Sequence, residues 1–425
     1  MKIIFFNSSI KFLEVTDTLK DDYCAFWYTP GLLTYQAIDS VVNFKDILIE
    51  ASIEAAFKKD YPRLTEEYTI SSFSDKPAEQ RQAKTTLFLA SNDTIVYSFL
   101  NVVNKLSKDA YKLYCKIGEN AKNTALKEGI EATETRGFFN KDEFDLLVMG
   151  NDWGILEQKV NYDFIAEGKN TTCIQESVID FNIRDERMLH CSIPIYQGIA
   201  TLKSIDLKNK ICAVIGNPRY EKLQISPLPN DYQVLVNVNF TYNIFEEARQ
   251  QWVDDIVGSC KEVGINYCIS QHPRDRGDLA SYNLLKTNAG NVHAALKSSS
   301  ILVTRFSSLI HESLCLGRPV IYYNPHGEKL FYDFEPDNKC LIYATNKEEL
   351  LNAINFLSNG ISKEEILESI KKYLPRHLGM AVSGEASAYI KTAIEKIKML
   401  PPFKKVSALK RLNLFVRVIK KNLFE

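Results

Sequence analysis

Two hydroxyls and a carboxylate sit close together in the run VTRFSSLIHESLCLGRPVIYY, residues 303–323. Ser307 and Ser308 end an apolar strand-like run, and Glu312 follows about one turn into a helix-like segment. Where a strand gives way to a helix, small hydroxyls and free backbone N–H groups can cradle a phosphate. The aligned peptide dipoles there amount to roughly half a positive charge. A carboxylate facing the same place suits the two hydroxyls of a ribose. The same residues also fit a plainer part, a serine N-cap with an exposed glutamate. Thirty-five residues upstream, CISQHPRDR closes another apolar run with His272, Pro273 and Arg274. A histidine donor there is apt for a phosphate oxygen, although a loop histidine is also a common structural residue. Two strand ends suited to phosphate, in order and in one half of the chain, strengthen each other.

The earlier half offers acids instead. DLLVMGNDWG places Asn151 and Asp152 after one apolar run, and TTCIQES places Gln175 and Glu176 after the next. A carboxylate in that position can take the proton of an attacking hydroxyl, a contribution typically worth ~10²–10⁴ in rate. Either acid could instead cap a turn or a helix.

These residues need a scaffold that brings strand ends to one edge. From about Thr85 the chain alternates short apolar runs with helix-like segments, the pattern of an α/β fold with parallel sheets. TTLFLA, YKLYCKI, DLLVMG, TTCIQ and KICAVIG make one such series. LQISPLPNDYQ (223–233) interrupts with two prolines and an Asn-Asp turn, a linker composition. VLVNVNF, NYCISQHP, ILVTRFSS, PVIYYN and KCLIYA make a second series. The expected organisation is an accessory segment at 1–84, a first Rossmann-like domain at 85–225 for an acceptor, a second at 226–400 for a donor, and a tail at 401–425. In open parallel sheets, ligands bind outside the carboxyl ends of the strands.

QHPRD followed by TRFSSLIHESLCLGRPVIYY resembles the donor half of bacterial GT-B glycosyltransferases of the capsule, O-antigen and teichoic-acid type. It is similar to the Kdo and sialic acid transferases with their HP and Ser-Ser motifs, and to the CDP-glycerol transferases. The non-hydrolysing UDP-sugar 2-epimerases share the layout, with Ser-Gly-Gly and a Glu on diphosphate and ribose. Arg305 stands here where the epimerases tend to carry an aspartate, and Ser308 occupies a glycine position, which favours a transferase. The resemblance implies a GT-B fold with two Rossmann-like domains facing across a cleft. It also implies an inverting glycosyltransferase using a CMP- or UDP-activated sugar donor and a glycan or lipid-linked glycan acceptor. Glu176 falls where relatives carry the catalytic Glu or His, and Asp152 where they carry a supporting Asp. His272, Pro273, Arg274, Arg305, Ser307, Ser308 and Glu312 would hold the donor. A UDP-sugar 2-epimerase, or an assembly partner that has lost turnover, are the alternatives. No DxD triplet is present, so neither a metal nor a cofactor is expected.

Composition sets the outer limits. With 425 residues, two or more domains are expected. Fifty-two basic and fifty-three acidic side chains leave a formal charge of −1, so no global field draws the chain to nucleic acid. Nine cysteines without a CxxC pair point to buried free thiols in a reducing compartment. The N-terminus is too briefly apolar for a signal peptide, which predicts a cytoplasmic protein. In PPFKKVSALKRLNLFVRVIKKNLFE, Leu409, Leu412, Val416, Ile419 and Leu423 share one helical face among seven Lys and Arg residues. Such a helix (403–425) can lie on the anionic cytoplasmic face of the inner membrane, or pack back on the first domain or a second copy.

Overall fold

The computed structural model describes residues 1–425 except 8–10, 20–21, 77–84, 179–186, 209, 230–231, 242, 286–290, 403 and 425. The chain forms two compact units, Met1–Glu221 with Arg376–Glu425, and Lys222–Pro375.

The first unit is built on β1 (Lys2–Phe6), β2 (Tyr23–Trp27), β3 (Asp46–Glu50), β4 (Thr69–Phe73), β5 (Thr85–Ala90), β6 (Tyr111–Lys116), β7 (Ala132–Thr135), β8 (Phe144–Met149), β9 (Asn170–Ile174), β10 (Ile193–Tyr196) and β11 (Ile211–Val214). They form one sheet in the order β4-β3-β1-β2-β11-β10-β9-β8-β5-β6-β7. The second unit holds β12 (Gln233–Val238), β13 (Asn266–Gln271), β14 (Leu284–Leu285), β15 (Ile301–Thr304), β16 (Val320–Tyr323) and β17 (Leu341–Ala344). Their order is β14-β13-β12-β15-β16-β17, the 3-2-1-4-5-6 winding of a Rossmann sheet. From β5 onward the first unit repeats it, as β7-β6-β5-β8-β9-β10-β11.

Every pairing among the described strands is parallel. The central strands are covered on both faces, which explains their continuous apolar runs. All five residues of β9 and all four of β10, β15 and β16 are buried. The nine cysteines are buried and unpaired.

Two expected boundaries give way to a different division. Residues 1–73, set apart in the sequence as an accessory piece, supply four strands of the first sheet, joined through the pairing of β2 with β11. Residues 376–400, assigned to the donor half, return to the first unit. Backbone packing decides this: the Met380 N–H donates to the Ile215 carbonyl at 2.7 Å, and the Ser387 N–H to Glu221 Oε1 at 2.5 Å. Asn170 Nδ2 donates to the Leu400 carbonyl at 3.0 Å. The tail helix Ala408–Phe424 also lies on the first unit. Leu414 and Val418 are its buried residues, and Leu414 joins Tyr162 and Ile165 on the helix Ile155–Ala166. No helix among the described residues is long and apolar enough to cross a membrane.

The returning segment comes so close to the strand exits that glycine is required there. A Cβ on Gly198 would stand 2.2 Å from the Arg376 carbonyl oxygen. Because the obstacle is backbone, Gly198→Ala is expected to lower stability by about 2–3 kcal/mol in urea denaturation. An unchanged midpoint would show that this contact does not hold the returning chain.

Candidate functional site

In the first unit, β9 ends at Ile174 and the chain turns outward through Gln175 and Glu176. Gln175 is buried, and its Oε1 accepts from the Gln197 N–H at 2.8 Å and from Thr201 Oγ1 at 3.3 Å. Asn217 Nδ2, at the exit of β11, donates to the Gln175 carbonyl at 2.8 Å, and Gln197 Nε2 to the Glu176 carbonyl at 3.3 Å. Side-chain amides from two neighbouring strand exits thus fix the backbone of this turn. The Glu176 carboxylate is left partly exposed at the carboxyl edge. Its Oε1 lies 3.4 Å from Asn92 Nδ2, whose own Oδ1 caps the helix Asp93–Val103 through the Ile95 N–H at 2.9 Å. That cap fixes the amide so that its N–H side faces the carboxylate. The arrangement suits a carboxylate held ready to accept a proton.

Asp152 has a different part. Its carboxylate is fully buried and accepts three backbone N–H groups, from Met188 at 2.7 Å, His190 at 2.8 Å and Cys191 at 3.0 Å. Met188 takes a left-handed backbone (φ 62°), a costly conformation for a side chain of this kind, and the Asp152 hydrogen bond offsets that cost. Burial raises the carboxyl above its usual range, while His190 and the three N–H groups limit the rise. Asp152, which the resemblance places as a supporting acid, anchors the loop ahead of β10, because burial and its N–H partners occupy it.

In the second unit, His272 is the exposed residue at the exit of β13. The Arg274 N–H donates to its Nδ1 at 3.1 Å, so the neutral ring carries its proton on Nε2 and presents a donor. Partial desolvation, then the Arg274 charge, hold the imidazole below its usual range against the pull of Asp275. Pro273 and Arg274 are exposed beside it. Asp275 is the residue that shapes this loop. Its buried carboxylate accepts from the Phe240 N–H at 2.6 Å and the Gly277 N–H at 2.9 Å, and pairs with Arg249 Nε at 3.0 Å. It thereby ties the exit of β13 to that of β12.

Beyond β15, Ser307 Oγ accepts from the Leu309 N–H at 3.2 Å, and the partly exposed Ser308 is the N-cap of the next helix, without a side-chain cap hydrogen bond. The helix that follows, Leu309–Cys315, has only seven residues. Glu312 is buried and accepts from His293 Nε2 at 2.7 Å. His293 carried no strand-end signal in the sequence. Arg305 is not disposed as expected. Its buried guanidinium spans the Glu328 carboxylate (2.5 and 3.3 Å), donates to the Ile244 carbonyl at 3.1 Å and lies 4.6 Å over the Phe240 ring. Although burial alone would raise Glu328, His326 and Arg305 hold it below its usual range. Arg305 is thus a brace for the loop after β12, its charge already neutralised.

No family model and no curated protein matches this sequence. Among solved structures, the Methanocaldococcus jannaschii UDP-GlcNAc 2-epimerase in complex with UDP-GlcNAc and UDP aligns over 73% of this chain and all of its own, with a TM-score of 0.52 at 13% identity. A variant of the wall teichoic acid polymerase TagF aligns over 75% of this chain and 89% of its own, with a TM-score of 0.50 at 15% identity. The fold is of the GT-B type. The glycotransferase of kitacinnamycin agrees, over 74% of this chain and all of its own, with a TM-score of 0.50 at 11% identity. Two α/β units, each built on a parallel sheet, are what a GT-B fold requires.

Within this GT-B fold the exposed His272 and the partly exposed Glu176 and Ser308 differ from the buried Asp152, Asp275 and Arg305. The buried group should act on stability. Asn in place of Asp152 keeps one acceptor and turns an N–H₂ toward backbone N–H groups, so Asp152→Asn is expected to cost about 2–3 kcal/mol in urea denaturation. Glu176→Gln should leave the midpoint unchanged. Equal midpoints for Asp152→Asn and the parent would remove the anchoring role.

Proposed function

We propose that this protein is an inverting glycosyltransferase that transfers a sugar from a CMP- or UDP-activated donor to a bacterial surface polysaccharide or lipid-linked glycan. It would work at the cytoplasmic face of a membrane. One observation carries the reading: two units of the same winding each leave a group of complementary chemistry at the carboxyl edge. The first offers the partly exposed carboxylate Glu176, and the second the neutral imidazole His272 with the His293–Glu312 pair.

In this proposal Glu176 accepts the proton of the acceptor hydroxyl as the anomeric carbon is attacked. Asp152 acts only through the loop it anchors. His272 donates from Nε2 to a phosphate oxygen and Glu312 takes the ribose hydroxyls, with His293 fixing its carboxylate. Ser308 and the exposed Arg274 complete the donor side, and Arg305 shapes it from behind. Glu176→Gln is expected to lower acceptor-dependent turnover ~10²–10⁴-fold while the nucleotide dissociation constant stays unchanged. Turnover equal to the parent's would reject Glu176 as the base.

His272 supplies a second test with a definite sign. Because its folded-state pKa is depressed, the ring is neutral at pH 7 and gains its charge only below the usual imidazole range, about 6.5. Affinity for a nucleoside diphosphate should therefore be flat from pH 8 to 7 and rise as the pH falls further. His272→Gln, which keeps an N–H donor, should bind as well at pH 8 and lose the part of the rise that the ring contributes. Calorimetry that gives parent and variant the same pH profile would take His272 out of the site.

The M. jannaschii enzyme, a UDP-GlcNAc 2-epimerase, has the same fold over its whole length, which favours epimerisation as a second reading. Incubating the protein with donor alone separates the two, because an epimerase converts the sugar without any acceptor.

A further inference from the structure

The tail helix Ala408–Phe424 has three faces, and one of them carries its buried contacts with the first unit. Its inner face carries the buried Leu414 and Val418, and Leu414 docks on Tyr162 and Ile165 of the helix Ile155–Ala166. Arg411 Nη2 pairs with Asp163 Oδ1 at 3.3 Å, and Lys410 Nζ lies 4.6 Å from the Tyr162 ring centroid. Just upstream, Lys404 Nζ donates to the Cys191 carbonyl at 2.8 Å and also to the Leu189 carbonyl. The helix is therefore held to the first unit largely by groups outside its apolar stripe. Leu409, Leu412, Phe415, Val416 and Ile419 all remain exposed, between 36% and 69%. At 100° per residue they span an arc of about 120°, well apart from Leu414 and Val418. The patch continues onto the body of the unit: Phe138 is 51% exposed and its ring stands edge-on to Phe415 at 6.2 Å.

The third face is basic. Lys410, Arg417 and Lys420 are exposed along one flank of the stripe, with Lys405 exposed just before the helix. No Asp or Glu occurs between residues 401 and 424. An apolar stripe with a cationic border on a helix too polar to cross a bilayer is the design of an interfacial anchor. Like charge opposes a second copy seated face to face, and an anionic headgroup layer is complementary.

We propose that this stripe inserts at the surface of an anionic lipid bilayer while the helix stays docked on the first unit. The proposal extends the reading of a lipid-linked or surface glycan acceptor, yet it rests on this surface alone. The full chain should co-sediment with vesicles of phosphatidylcholine containing phosphatidylglycerol, less so as salt is added, and not with phosphatidylcholine alone. Because Leu412 and Val416 are exposed, Leu412→Gln with Val416→Gln should keep the urea midpoint and lower vesicle partitioning at least about tenfold. Absence of binding by the parent, equal binding by the variant, or equal binding to neutral vesicles would overturn it. So would a concentration-dependent dimer in velocity sedimentation that the same variant abolishes, which would assign the stripe to a second copy. Nucleotide-induced thermal shifts of parent and variant are expected to coincide whichever way the vesicle result falls, so failure here leaves the transferase reading separately testable.

Discussion

Parallel pairing is the constraint on which everything else in this molecule depends. A parallel strand can be followed by its neighbour only through a crossover, so every strand of a sheet ends on the same edge. Both faces are covered over the central strands of each sheet, and the backbone of the strands is committed to the ladder. What remains for chemistry is the short stretch where each strand leaves the sheet. There the chain must also satisfy the polar groups of the turn. The carboxyl edge is thus both where ligands can bind and where buried polar side chains are needed to hold loops.

That double demand sorts the polar residues into two kinds. Asp152, Asp275 and Arg305 are charged, buried and met by several partners each, and they shape loops from behind. A buried charge can persist only when so partnered, and the partners leave little for a ligand. Glu176 and His272 are more exposed, and each meets a contact of definite polarity. Asn92 turns its amide to Glu176, and the Arg274 N–H fixes the tautomer of His272. Residue type does not separate these kinds. An aspartate after β8 and a glutamate after β9 look equivalent in sequence, and what divides them is whether the next loop folds back over the side chain.

This explains which parts of the structure were legible beforehand. Apolar runs of four to seven residues located β5, β6, β8, β9, β11 and most of the second sheet, because strands buried on both faces leave that mark. β7, with three of its four residues not buried, and the two-residue β14 leave no such mark. The first 73 residues hid their strands among aromatic and loop-rich sequence, and nothing local says that β2 pairs with β11. Ser307, Ser308 and His272 stand out in the sequence by their place after apolar runs, and Glu312 by following one turn later. His293 and Asp275 do not: one comes from a helix six residues long, and the other is read as a surface charge until its four partners are seen. The tail was legible in its amphipathic period but not in its docking, since Leu414 and Val418 lie outside the most regular stripe. Leu423 and Glu425, counted with that tail, fall outside what the structure describes of side chains.

The return of the chain at Arg376 carries the last consequence. The first unit is discontinuous, and its completion requires the segment after Pro375 to find the exits of β10 and β11 across the whole length of the second unit. For an unfolded connection that closure would be entropically unfavourable, with a cost rising as the logarithm of its length. A folded second unit replaces the long flexible connection with a compact one whose ends have far fewer positions to explore. Close packing then does the rest: Gly198 and Gly379 admit backbone to backbone, and the Met380 N–H finds the Ile215 carbonyl that the sheet leaves open. The amides of Gln197 and Asn217, which hold the turn of Glu176, sit on those same two exits. The order of the candidate base is therefore tied to the end of the chain through a few ångströms of backbone contact.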